Sequence, residues 1–230
     1  MRTLAAGDCS MELFLDTADL RTIEELWPLF PFAGVTTNPN IVARSKTPIR
    51  EALPTIRAIV GPKAKIFAQV LARERNAMID EALAFRELDH DLVVKIPALG
   101  WGPSAIRNLS ERGIPTLGTA VFAPMQGFLA AQAGARYVAP YVASVDNTGG
   151  DGLVLVRNLQ ALLDLHCPSC SILAASFRTP VQVMDCLLAG AKAVTISPDT
   201  ARQMLVSPAA EAAIGKFEEE WRKAFGTLAV

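Results

Sequence analysis

"LVVKIP", residues 92–97, is a run of β-branched and apolar residues closed by a proline, with one lysine, Lys95, inside it. A short continuous apolar run reads as a strand buried on both faces, the condition of strands in a parallel sheet covered by helices. The same kind of segment recurs on either side: "MELFLD" (11–16), "AGVTTN" (33–38), "KIFAQV" (65–70), "PTLGTAV" (115–121), "YVAPYV" (137–142), "SILAAS" (171–176) and "AVTISP" (193–198). Longer stretches of helical period separate them, among them "DLRTIEELWPLF" (19–30) and "RERNAMIDEALAFREL" (73–88). Eight strand segments, each followed by a helical one, predict a (β/α)8 TIM barrel, an α/β fold that forms as a single domain of about 250 residues. A doubly wound open sheet is the alternative, but no G-x-G-x-x-G follows the first strand to mark a dinucleotide site there.

Helix boundaries agree with this reading. Thr179-Pro180 opens a helix, Asp151 stands before another, and Gly113, Gly134 and Gly190 follow helical runs as C-terminal stops. After the eighth strand, "SPAAEAAIGKFEEEWRKAFG" begins with a Ser-Pro start and keeps Ile214, Phe217, Trp221 and Phe225 near one face. The expected organisation is therefore a disordered N-terminal extension over 1–10, a barrel over 11–206 and a helix within 207–230. That helix packs on the barrel or on a neighbouring subunit, and the second choice implies a homo-oligomer.

The chain has 230 residues, 22 basic and 23 acidic, for a formal charge of -1, and half of it is apolar. Charges are mixed, with no basic stripe to follow a phosphate backbone, so nucleic acid is not an expected partner. Apolar runs are too short to span a bilayer and the N-terminus lacks a signal-peptide core, so a soluble cytoplasmic protein without membrane contact is expected. The cysteines, Cys9, Cys167, Cys170 and Cys186, include one C-x-x-C pair, but the two histidines, His90 and His166, offer no zinc-ligand spacing. Free thiols are the simpler reading, and no metal or cofactor is expected.

Side chains alternate along a strand, so the last inward residue of each barrel strand lies at the C-terminal mouth, where barrel active sites are built. This parity selects Asp16, Thr36 with Asn38, Gln69, Lys95, Thr119, Tyr141 and Ser176. Singly, the small polar residues are ordinary caps and turn formers, and Asp16 or Asn38 suits a helix start. Lys95 is harder to place structurally, because an ammonium is buried only with a partner or with its head at the mouth. An ion pair with Asp16 would be such a structural reading. Burial disfavours a charged amine, however, and a neutral amine attacks a carbonyl to form a Schiff base.

The stretches "GVTTNP" (34–39), "VVKIP" (93–97), "GIPTLGTAVF" (113–122), "ARYVAPYV" (135–142) and "LAASFRTP" (173–180) resemble the fructose-6-phosphate aldolases of the small-subunit transaldolase family, and the likeness runs from Met11 onward. The resemblance implies a metal-free class I aldolase and a pentamer or decamer in which the C-terminal helix reaches over a neighbour. It implies Lys95 as the Schiff-base lysine, Tyr141 as the proton-transferring hydroxyl, and Gln69 with Thr119 around a catalytic water. Asp16, Thr36 and Asn38 would bind the dihydroxyacetone part of the substrate, while Ser176 and Arg178, after the seventh strand, stand where barrels often bind phosphate. Gln69 and Tyr141, where transaldolases proper carry Glu and Phe, favour the aldolase branch. Two departures stand out: Ser144 replaces an arginine of the phosphate end, and Leu99 and Trp101 replace a Thr and a Glu after the fourth strand. The expected reaction is reversible cleavage of a ketose phosphate such as fructose 6-phosphate to dihydroxyacetone and an aldehyde such as glyceraldehyde 3-phosphate. Transaldolase transfer to an aldose phosphate is the alternative, and a non-catalytic sugar-phosphate-binding barrel a third.

Overall fold

The computed structural model describes residues 11–228; the expected extension over 1–10, with Cys9, and the last two residues lie outside them. In order, the elements are β1 (Glu12–Asp16), α1 (Leu20–Leu26), β2 (Phe32–Thr36), α2 (Pro39–Ser45), α3 (Ile49–Val60), β3 (Lys65–Gln69), α4 (Arg75–Leu88), β4 (Val93–Pro97), α5 (Gly102–Glu111), β5 (Thr116–Val121), α6 (Pro124–Gln132), β6 (Tyr137–Pro140), α7 (Val142–Asn147), α8 (Gly152–His166), β7 (Ser171–Ala174), α9 (Pro180–Leu188), β8 (Ala193–Ile196), α10 (Pro198–Leu205) and α11 (Pro208–Phe225). The eight strands are parallel and close β1 onto β8, which makes the chain a (β/α)8 barrel.

Local chemistry sets the element ends. Asp19, Asn38, Asp151, Thr179, Ser197 and Ser207 each cap a helix by accepting a backbone N–H, and prolines follow several of these caps at the first helical turn. Pro28 lacks an N–H, and α1 gives way to a 3₁₀ turn over Trp27–Leu29. Gly102 is required by close approach: a Cβ there would lie 1.8 Å from the Pro97 carbonyl oxygen, so only glycine lets α5 start directly beneath the end of β4.

Two cores result. The larger, between sheet and helices, holds Leu15, Val35, Ile66, Val94, Ile96 and Val138 against residues such as Ile56, Ile106 and Leu159. The smaller fills the barrel itself with Phe14, Phe67, Val93, Leu117, Tyr137, Ala139, Leu173 and Ala193. Phe67 meets Phe14 and Tyr137 edge-on, at ring separations of 5.1 and 5.6 Å. Below them, at the N-terminal end, Lys65 pairs with Glu12 and donates to the Tyr137 hydroxyl at 2.8 Å, which donates to Glu12 at 2.7 Å. Burial pulls the Lys65 pKa down, but the hydrogen bonds to Glu12 and Tyr137 outweigh it and the net direction is up. This end of the barrel is closed by a neutralised network, leaving the C-terminal mouth as the open face.

Candidate active site

The inner core dictates which residues rise to the mouth. Asp16 follows Phe14, Gln69 follows Phe67, Lys95 follows Val93, Thr119 follows Leu117 and Tyr141 follows Ala139, each two positions on and therefore on the inward side. In β2 an irregularity of register opposite Leu13 and Phe14 realigns the strand, so that Gly34 faces Phe14 and Thr36 faces Asp16. Ser176 is different. In β7 the inward residue is Leu173, and Ala174 packs in the outer core, so the alternation expected to bring Ser176 inward does not hold. It reaches the mouth because the chain leaves the strand and turns there with a left-handed backbone, φ 64°.

Two lysines share the inward face, and they differ in their partners. Lys65 is ion-paired at the bottom of the barrel. Lys95, only 5% exposed, donates to the Thr37 carbonyl oxygen at 2.7 Å and forms no ion pair among the described residues. The pairing with Asp16 considered from sequence is thus absent at contact distance. Asp16 nevertheless feels this amine. Burial pushes its carboxyl pKa up, while the Lys95 charge and the Thr36 hydrogen bond oppose the rise.

Hydroxyls complete the ring. Thr36 donates to Asp16 at 2.5 Å, and its oxygen lies 2.6 Å from the Thr195 hydroxyl on β8. A hydroxyl has one proton, so while Thr36 donates to Asp16 it can only accept from Thr195. Thr195 is therefore a member of the ring that the sequence reading missed; its signal was the same alternation, Ala193 then Thr195, on a strand not searched for a polar end. Opposite, the Tyr141 and Thr119 hydroxyls are 2.9 Å apart. The buried Gln69 Oε1 has no hydrogen-bond partner among the described residues. Asn38 serves as the α2 cap through its Oδ1, 3.0 Å from Ile41 N, and also faces the mouth.

Above this ring lies a cleft of about 600 Å³, lined at its floor by Asp16, Lys95, Tyr141 and Thr195 and at its walls by Asn38, Arg44, Ser144, Ser176 and Arg178. That volume suits a small-molecule ligand. Ser144 and Ser176 face each other with their hydroxyl oxygens 2.9 Å apart. Gln69 and Thr119 do not line the cleft, and neither do Leu99 and Trp101, each 54% exposed on the loop after β4. Arg44, absent from the sequence reading, does. Among the described residues no group of three or more His, Cys, Asp or Glu side chains is placed to hold a metal ion, and no helix is long and apolar enough to cross a membrane.

The family model for transaldolase/fructose-6-phosphate aldolase matches residues 13–228. The chain belongs to that family. Solved structures that share the fold include a cube-shaped, porous protein cage designed by fusing symmetric oligomeric domains, with TM-score 0.60 at 17% identity over 93% of this chain and 77% of that one. A native KDPGal structure superposes with TM-score 0.56 at 17% identity, covering 88% of this chain and 92% of its own. A flavocytochrome b2 mutant with pyruvate bound gives 0.61 at 13% identity, over 96% of this chain and 65% of that one. At such identities these three share the barrel and nothing more is drawn from them. Membership in the transaldolase/fructose-6-phosphate aldolase family supports an enzyme of aldolase or transaldolase type acting on a small sugar phosphate.

Proposed function

We propose that this family member is a class I aldolase that reversibly cleaves a ketose phosphate such as fructose 6-phosphate to dihydroxyacetone and glyceraldehyde 3-phosphate. The observation that carries the reading is Lys95: an amine buried at the open end of the barrel, held among the described residues by a backbone carbonyl alone, in the floor of the cleft. The inward Lys65, by contrast, is neutralised by Glu12. A lysine kept from a carboxylate retains a lone pair for attack once its proton is lost.

In this reading the neutral Nζ of Lys95 adds to the C2 ketone, and loss of water gives an iminium. Tyr141, hydrogen-bonded to Thr119, takes the proton of the C4 hydroxyl through a water that the unpartnered amide oxygen of Gln69 also holds. The C3–C4 electron pair moves into the iminium as an enamine, and the C4 aldehyde leaves. The proton taken from the C4 hydroxyl returns to C3 of the enamine, and addition of water to the resulting iminium releases dihydroxyacetone and the free lysine. Asp16 and Asn38 hold the hydroxyls of the three-carbon unit, with Thr36 orienting Asp16 from beneath, and Ser176 and Arg178 face the phosphate. Gln69 and Tyr141 favour this branch over transaldolase, in which the same enamine passes to an aldose phosphate.

Borohydride reduction in the presence of dihydroxyacetone, followed by mass spectrometry, tests the lysine. The expected result is an adduct on Lys95 that disappears in Lys95→Met; a fully unmodified Lys95 would sink the enzymatic reading and leave a sugar-phosphate-binding barrel. Release of free dihydroxyacetone without erythrose 4-phosphate separates the aldolase from a strict transaldolase. The same reading includes a homo-oligomer, a pentamer or decamer, in which α11 lies against a neighbouring copy.

A further inference from the structure

We propose that Arg44 sets the preference of this site for an anionic aldehyde terminus, acting across the cleft from Arg178; the proposal rests on the aldolase reading of Lys95 for its substrate. The helix α2 leaves the end of β2 with Asn38 as its cap. Four α2 residues, Asn40, Ile41, Arg44 and Ser45, line the cleft, and their spacing is that of one helical face. Arg44 is thereby carried to the wall on the β2 side. Arg178, on the turn after β7, stands in the opposite wall. Between them around the barrel lie β8 and β1, whose ends supply Thr195 and Asp16 to the floor.

Neither guanidinium has a hydrogen-bond or ion-pair partner among the described residues; Arg178 is engaged only through its backbone N–H, which donates to Gln182. Two carboxylates of the same walls pair with neither guanidinium: Asp19 accepts from Thr22 N at 2.8 Å as the α1 cap, and Asp199 lies exposed, 3.6 Å from Arg202, which Glu25 holds at 3.0 Å. Asp16 is the remaining one, deep in the floor and bound to Thr36. The open upper cleft therefore presents two uncommitted planar cations, and at position 144 only a hydroxyl, paired with Ser176. A phosphate monoester is a dianion with oxygens for two forked donors, and a single arginine leaves part of that capacity unused. In this chain the second cation comes from α2 and not from the residue after β6.

The experiment compares parent, Arg44→Ala and the double variant Arg44→Ala, Ser144→Arg. In each, the ratio of kcat/KM for glyceraldehyde 3-phosphate to that for glyceraldehyde is measured in addition to dihydroxyacetone, and inorganic phosphate binding is measured by calorimetry. Arg44→Ala is expected to lower the ratio at least tenfold and to weaken phosphate at least tenfold, with Ser144→Arg restoring much of the ratio. Circular dichroism checks the fold, which an exposed, unpartnered side chain does not hold together. A ratio and a phosphate affinity both unchanged by Arg44→Ala would overturn the proposal while leaving the aldolase reading intact. Absence of the Lys95 borohydride adduct would overturn that reading instead, and calorimetry with inorganic phosphate would then still decide the role of Arg44 as an anion ligand.

Discussion

Asp16 concentrates the tension of this site in one residue. Burial raises its pKa above the ordinary carboxylate value of 3.8, against the pull of Lys95 and Thr36. A carboxyl that holds its proton more tightly folded than unfolded makes the folded state lose stability as pH rises from the unfolded value through the folded one. Asp16→Asn removes this titration. Denaturant midpoints of parent and variant should therefore diverge in the variant's favour as pH rises from 3.8 toward neutrality; a difference that stays flat or shrinks over that window would show that Asp16 is comfortable as an anion. Most residues around it were legible because strand alternation is rigid: Phe14 inside implies Asp16 inside. Thr195 obeys the same rule and was missed only for want of a test on β8. Arg44 was not legible, since an exposed arginine on a short helix looks like any surface charge until the helix is placed beside a cleft.

At the level of elements, periodicity located the strands and helices, whereas their irregularities escaped it. The register shift in β2, the 3₁₀ turn at Pro28 and the left-handed turn at Ser176 each alter where a side chain points, and none changes the apolar pattern. Ala120 in β5 is a similar case: its φ is 56°, beside the register irregularity that separates Gly118 from Val121 along β6. A left-handed backbone costs an L-residue about 1–2 kcal/mol, and glycine escapes that cost while losing about 0.5–1 kcal/mol more entropy on folding. Ala120→Gly should accordingly stabilise the protein by up to about 1.5 kcal/mol, read as a higher denaturant midpoint with unchanged slope. A lower midpoint would mean that the methyl group earns more through packing than it loses through strain. Thr119, whose hydroxyl lies 2.9 Å from that of Tyr141, is the residue next to it.

For the whole molecule, α11 is the element that the barrel does not explain. None of its 18 residues is buried. Ile214, Phe217, Trp221 and Phe225 are spaced three and four apart along one seam, between 39% and 67% exposed, while Glu218, Glu219, Glu220, Arg222 and Lys223 occupy the rest of its surface. Trp221 and Phe225 touch each other, ring centres 4.5 Å apart. An isolated helix of this length is marginal in water, and most helical stability in proteins comes from burying an apolar face. A seam of large apolar side chains on such a helix is an interface residue pattern, and in the proposed assembly a second copy of the chain would offer it a barrel wall with exposed apolar residues such as Leu129, Leu188 and Val181. The double substitution Phe217→Asp and Trp221→Asp puts two charges in the centre of the seam. Sedimentation velocity is expected to find the parent as an oligomer and the variant as a smaller species, with helical circular dichroism reduced by an amount matching α11. A parent that sediments as a monomer would refute the intersubunit role of this helix, and so would a variant that assembles like the parent.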